Sequence, residues 1–251
     1  MAMARKVALV TGAAQGLGKA FSEVLLKRGT KVCVADIQEK NGQRTVEDFN
    51  KEYGTNSSIF LKCDVSKQDD IKATFHEAEK RLGPLDIVVN NAGIIDETDW
   101  ERSLDINLRA VITGSFLAME SMRTDKGGKG GHIINVASMA GLVGVPFAPV
   151  YAATKHGVVG FSRSLGDKSW KDLGVKVNCL CPAYADTEII NLTKNKVHLP
   201  EVAEAQLKLL GVLKVSTVAE AFEKLLMDDR NGGVLMVSTI KGTTYMRFPM
   251  E

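Results

Sequence analysis

The stretch Val7-Ala-Leu-Val-Thr-Gly-Ala-Ala-Gln-Gly-Leu-Gly18 decides the fold. Four apolar residues with strand character run into a turn that carries Gly12, Gly16 and Gly18, with Gln15 and Leu17 between them, and a helical pattern opens at Ala20. Glycines so spaced allow a tight turn, bring backbone close to a pyrophosphate and aim a helix N-terminus at it. The next strand-like run, Lys31-Val-Cys-Val-Ala35, ends at Asp36, 18 residues beyond Gly18. That interval is close to the ~20 residues expected for the acid that binds an adenosine ribose. A carboxylate accepts from both ribose hydroxyls and repels a 2′-phosphate. With Ile37 beside it and neutral Gln15 in the turn, the expected cofactor is NAD rather than NADP, although Lys19, Lys40 and Arg44 are near in sequence. The plainer alternative for Asp36 is a helix N-cap.

The alternation continues along the chain. Apolar runs at 59–63, 86–89, 132–136, 175–180 and 233–237 are separated by helical patterns, among them 67–82, 106–122 and 151–173. The runs are almost continuously apolar, as strands covered on both faces are. Helices of this length between strands imply right-handed parallel crossovers. The expectation is therefore a single-domain, Rossmann-type doubly wound α/β fold of about seven parallel strands with helices on both faces. Residues 184–215 lack strand character and follow a strand's carboxyl end, where open α/β sheets bind ligands, so they are expected to form a substrate lid.

Composition excludes several classes. Of 251 residues, 45% are hydrophobic and 25% charged, which is globular rather than disordered. Thirty-two basic against 30 acidic side chains leave a net charge of +2 and argue against a nucleic-acid or membrane-surface partner. No apolar run approaches the ~18 residues of a membrane span. The first residues lead straight into a strand without a signal-peptide core. Cys33, Cys63, Cys179 and Cys181 form no Cys-x-x-Cys pair and have no histidine at zinc spacing. They read as small buried hydrophobes of a reduced, cytoplasmic protein without a metal.

Three residues carry chemistry. Tyr151 and Lys155 stand four apart on a helical pattern, one turn apart on one face. A phenol titrates near ~10 in water, and an ammonium beside it favours the phenolate, which makes Tyr151 a usable base for an alcohol proton. Ser138 follows the fifth strand, at the same carboxyl edge as the glycine turn, where its hydroxyl can orient a reacting oxygen. No adjacent histidine prepares it for nucleophilic hydrolysis. Each alone has an ordinary reading: a solvated Tyr/Lys pair, a turn serine. Asn107, inside an apolar helical pattern, reads from the sequence as a satisfied polar core residue.

Taken in order, Gly12-x-x-x-Gly16-x-Gly18, Asn90-Asn-Ala-Gly93, Ser138 and Tyr151-x-x-x-Lys155 resemble the short-chain dehydrogenase/reductase family over almost the whole chain. The resemblance implies that Asn107 disturbs its helix and holds a water next to Lys155, completing an Asn-Ser-Tyr-Lys set. It implies that Lys155 holds the nicotinamide ribose. It places Asn91, Ala92 and Gly93 beside the adenosine ribose, Cys63, Asp64 and Val65 around the adenine, and Pro182, Ala185 and Thr187 near the carboxamide. Where the family shows Pro-Gly, this chain has Pro182-Ala183. The segments 7–16, 149–157 and 238–242 look most like the branch that oxidises the 15-hydroxyl of prostaglandins with NAD. That branch has a glutamine shortly before the tyrosine, where this chain carries Phe147-Ala148, and a tyrosine near Leu209-Leu210. Met139, Val145, Phe147, Ala148 and Tyr184 are the candidate pocket lining beside Ser138 and Tyr151, suited to a hydrophobic alcohol or ketone. The resemblance further implies a homodimer formed through the helices containing 103–122 and 150–172. The alternatives are a carbonyl reductase for a steroid, retinoid or other small ketone, and a non-catalytic NAD-binding scaffold.

Overall fold

The computed structural model describes residues 5–188 and 196–248, with 168–172 by their backbone alone. Strand β1 (Val7–Thr11) is buried along its whole length, and its side chains divide between two layers. Ala8 and Val10 join one core cluster with Phe21, Leu25 and Phe222; Val7 and Leu9 join another with Phe75, Met119 and Ile133. A strand that must satisfy two apolar layers shows no alternation, which is why the sequence runs are continuous.

Chain order then follows the crossover rule. Helix α1 (Gly16–Lys27), β2 (Lys31–Asp36), α2 (Glu39–Tyr53), β3 (Ser58–Lys62), α3 (Gln68–Leu82) and β4 (Ile87–Asn90) make the first half. The second half holds α4 (Trp100–Leu104), α5 (Ala110–Met122), β5 (Gly131–Val136), α6 (Pro149–Leu173), β6 (Val175–Pro182), α7 (Pro200–Leu210), α8 (Val215–Met227), β7 (Val234–Ser238) and β8 (Gly242–Tyr245). The sheet order is β3-β2-β1-β4-β5-β6-β7-β8. Seven strands are parallel and β8 is antiparallel to β7. The strand order reverses between β1 and β4, and this switch point opens a crevice at the carboxyl ends of the strands.

One feature differs from the expectation of about seven parallel strands. The eighth strand, Gly-Thr-Thr-Tyr, is a partly exposed edge with no apolar run to announce it. The helix over 106–122 begins with a π-helical turn, Asp105–Arg109, set between α4 and α5 and containing Asn107, the residue that the family resemblance has disturb it. Helix α8 packs an i, i+3, i+4, i+7 face of Val218, Ala221, Phe222 and Leu225 inward. Its Phe222 ring stacks on Phe21 of α1 with centroids 4.5 Å apart. Of the expected lid, 189–195 lie outside the described residues; the rest includes α7, whose first turn starts at Pro200.

Candidate active site

The β1–α1 turn is built as its glycines require. Gly12 and Gly16 have φ of +64° and +56°, a region that L side chains rarely adopt. A Cβ on Gly12 would come within 2.8 Å of Ala92 Cα. The turn thus packs directly on the Asn91–Gly93 segment that follows β4. Asn91 fastens that packing by donating from Nδ2 to the carbonyls of Thr11 (2.9 Å) and Gly12 (3.1 Å). Helix α1 starts with neither a capping side chain nor an acidic residue in its first turn. Its N–H groups are left for an anion.

Asp36 closes β2 and is held from two sides. Oδ2 accepts from Ala14 N–H at 2.9 Å and Oδ1 from Gln38 N–H at 2.9 Å. The bond to Gln38 closes a local turn and does not cap α2, whose N-cap is Gln38 itself; the bond to Ala14 ties the same carboxylate to the glycine turn. Both remain compatible with a ribose contact, because each oxygen has a second lone pair. Asp64 accepts from the backbone and hydroxyl of Ser66.

A cavity of about 960 Å³ runs from this turn across the switch point. Gln15, Leu17, Asp36, Ile37, Asp64 and Val65 line one part of its wall, together with Cys63, Gly12 and Gly16. Ala92, Gly93, Ser138, Tyr151 and Lys155 line it as well, as do Asn91, Pro182, Ala185 and Thr187. Met139, Val145, Phe147 and Tyr184 also line it. Gly18 does not reach the cavity; it lies under the turn, where a Cβ would sit 2.2 Å from Gly12 O. Ala148 is a correction to the expected pocket. It is fully buried away from the cavity, its N–H donating to Val145 O and its carbonyl accepting from Ala152 N–H. Of the Phe147-Ala148 pair, only Phe147 faces the site.

Ser138 follows β5 in extended conformation; Ala140 N–H donates to its Oγ at 3.1 Å, and that hydroxyl points back toward Pro182 O at 3.4 Å. Lys155 is buried and donates from Nζ to Val136 O at 3.0 Å, with Nζ 5.6 Å from the Tyr151 ring centroid. Burial lowers the ammonium to about 8. Burial pushes the Tyr151 phenol up to about 12, against a hydrogen bond with Ser138 that draws it down. The expected lowering by Lys155 is therefore not what this geometry gives: desolvation sets the direction, and the ammonium is engaged by a backbone carbonyl.

Asn107 is wholly buried at the π turn, bonding Ile94 in both directions: Oδ1 accepts from its N–H and Nδ2 donates to its carbonyl, each at 2.8 Å. A Cβ on Gly93 would lie 3.2 Å from Asn107 Oδ1 and 3.4 Å from Lys155 Nζ, so both groups flank that glycine.

Several residues at the site carry no motif. Ala203, Gln206, Leu207 and Leu210 of α7 line the cavity, as do Ile240 and Lys241 between β7 and β8. Glu97 is a second case; its carboxylate accepts from the first N–H groups of α6, including that of Tyr151. The helical spacing of 203, 207 and 210 was a readable signal for α7, whereas Glu97 acts across 54 residues and had none.

A glycine-rich β1–α1 turn at the switch point, an acid ending β2, and Ser, Tyr and Lys gathered on one cavity define a dinucleotide-dependent oxidoreductase. The chain belongs to the short-chain dehydrogenase family, whose profile matches residues 6–197. It is 39% identical over 254 residues to 15-hydroxyprostaglandin dehydrogenase [NAD(+)] of Mus musculus, covering 98% of this chain and 94% of that one. It is 38% identical over 251 residues to the Homo sapiens protein of the same name, with 97% and 94% covered. A short-chain dehydrogenase/reductase from Burkholderia phymatum, crystallised with NAD, superposes with a TM-score of 0.82 at 26% identity, covering 94% of this chain and 90% of that one.

Proposed function

We propose that this protein is an NAD-dependent dehydrogenase that oxidises a secondary alcohol on an apolar, lipid-like substrate to a ketone, the 15-hydroxyl of a prostaglandin being the first candidate. The observation that carries this reading is that Ser138, Tyr151 and Lys155 line one cavity together with the glycine turn and with the apolar Met139, Val145 and Phe147. The near end-to-end similarity to the mouse and human dehydrogenases supports the substrate candidate.

The residues present fit the cofactor. The uncapped N-terminus of α1 suits its pyrophosphate, the anchored carboxylate of Asp36 its adenosine ribose, and Lys155 its nicotinamide ribose. When bound, NAD supplies the acceptor for the carbinol hydride. Ser138 donates to or accepts from the substrate oxygen and holds it toward Tyr151. In oxidation the Tyr151 phenolate takes the hydroxyl proton; in reduction the phenol gives it back. Lys155, with Nζ 5.6 Å from the Tyr151 ring, is the cation set beside the phenolate that forms during proton transfer, while desolvation holds the resting phenol up at about 12. Asn107 fixes the Ile94 backbone and lies on the same side of Gly93 as Lys155 Nζ, a placement suited to a water that relays the proton outward. Phe147 and the α7 leucines give the cavity walls that exclude water and favour a hydrophobic chain. Exposed Phe116 on α5 meets Phe161 on α6 edge to face at 5.7 Å, an aromatic face suited to pairing with a second copy.

The test is NADH formation from a 15-hydroxyprostaglandin, with NADP as control and a Tyr151→Phe variant alongside. Fast turnover with NAD, falling about 100- to 10,000-fold in the variant with NAD binding kept, is expected. Turnover of other secondary alcohols alone would discard the prostaglandin; undiminished turnover in Tyr151→Phe would discard the mechanism.

A further inference from the structure

Glu97 lies in the loop between β4 and α4, yet its carboxylate is completely out of solvent. Oε1 accepts from Tyr151 N–H at 2.9 Å and Oε2 from Val150 N–H at 3.0 Å. These N–H groups belong to the first turn of α6, where no carbonyl within the helix can reach them. A carboxylate there also meets the positive end of a 25-residue helix. The backbone it grips is that of the residue whose hydroxyl must meet the substrate oxygen.

The same residue holds the chain that leads into α7. Its own N–H donates to Lys196 O at 2.8 Å, and Oε2 stands 3.7 Å from His198 Nε2. His198 N–H in turn donates to the carbonyl of Phe147, which lines the cavity just ahead of α6. Next to it, Asp96 Oδ2 pairs with Lys196 Nζ at 2.6 Å. A serine or aspartate cap on α6 itself would satisfy the helix end equally well, but it would not reach the α7 approach. Burying a carboxylate is costly without several partners, and here the partners come from two separate parts of the site.

We infer that Glu97 is a positioning residue that sets the Tyr151 backbone and the approach to α7 in register with one another, so that proton transfer and substrate cover depend on one side chain. The inference rests on Tyr151 being the proton-transfer group.

Steady-state kinetics and thermal midpoints of Glu97→Ala, Glu97→Gln, His198→Ala and Tyr151→Phe test it. Glutamine keeps one acceptor oxygen, so Glu97→Gln rescues part of what alanine loses. The expected result is a kcat loss of about 100-fold in Glu97→Ala, the scale of a ~1 Å misplacement, a smaller loss in Glu97→Gln, and an unchanged KM for NAD in both. His198→Ala, which keeps the grip on α6, raises KM for the alcohol and leaves kcat. Parental kcat in folded Glu97 variants, with Tyr151→Phe inactive, overturns the inference alone. So does a joint fall of kcat, NAD affinity and thermal midpoint, which marks a merely structural residue. If the alanine variant does not fold, Glu97→Gln decides by the same two criteria. Full turnover in Tyr151→Phe overturns the underlying mechanism and the inference with it.

Discussion

Gly18→Ala puts a methyl group where α1 passes beneath the dinucleotide turn. A Cβ at this position lies 2.2 Å from Gly12 O and 2.6 Å from Asn91 Nδ2. Ordinary contact begins near ~3.5 Å, so helix and turn must separate by roughly 1.3 Å. Neither neighbour gives easily. Gly12 O already accepts from Asn91 Nδ2 at 3.1 Å, and Gly12 is itself wedged against Ala92. Overpacking of this kind costs about 1–3 kcal/mol. Displacing the first turn of α1 also forfeits a charge-assisted hydrogen bond to an anion, about 1.5–3 kcal/mol. At ~1.4 kcal/mol per tenfold, the loss of that bond lowers NAD affinity by about 10- to 100-fold. Calorimetric titration of NAD into parent and variant reads the change, with circular dichroism confirming that the variant is folded. A folded Gly18→Ala protein with the parental Kd refutes the reasoning, since the turn would then have absorbed the methyl without moving the phosphate site.

Two further outcomes follow from single contacts. Asp36→Asn removes the charge that repels a 2′-phosphate, and its single amide oxygen keeps one of the two bonds that Asp36 accepts from Ala14 and Gln38. The ratio of kcat/KM for NADP to that for NAD should rise by about tenfold or more, and an unchanged ratio removes Asp36 as the discriminator. Burial pushes the Asp96 carboxyl up, but the Lys196 ammonium and Thr98 hydroxyl outweigh it and hold it down at about 2. Because the folded value is below the ordinary ~3.9, the stability it adds is present above about pH 4 and is lost as pH falls toward 2. Urea unfolding of parent and Asp96→Asn at both ends of that window should differ by about 2 kcal/mol less at the acid end; a constant gap refutes the assignment.

The parts of the molecule legible in the sequence are those set by local pattern. The run from Val7 to Gly18 works over one strand, one turn and one helix start, and each of its glycines answers to a backbone constraint at its own position. The spacing of Tyr151 and Lys155 is one helical turn, so their shared face needs no tertiary knowledge. Other features had no local sign. Strand β8 has no buried face to impose a pattern, and it forms because β7 offers an edge for pairing. Ala148 and Phe147 are neighbours in sequence, but only the turn into α6 decides that the ring faces the cavity and the methyl the core.

By itself the sequence determined the parallel sheet, the dinucleotide turn, the acid at the end of β2 and the Ser-Tyr-Lys set, because each is a choice of residue type at short range. Only the tertiary structure decided the electrostatics and the cover of the site. Desolvation raises Tyr151 to about 12 where a neighbouring ammonium alone would have lowered it. Glu97 reaches the start of α6, and α7 closes on the cavity, through contacts between segments 50 or more residues apart. Burial and long-range hydrogen bonding are properties of the packed chain, and no stretch of sequence carries them alone.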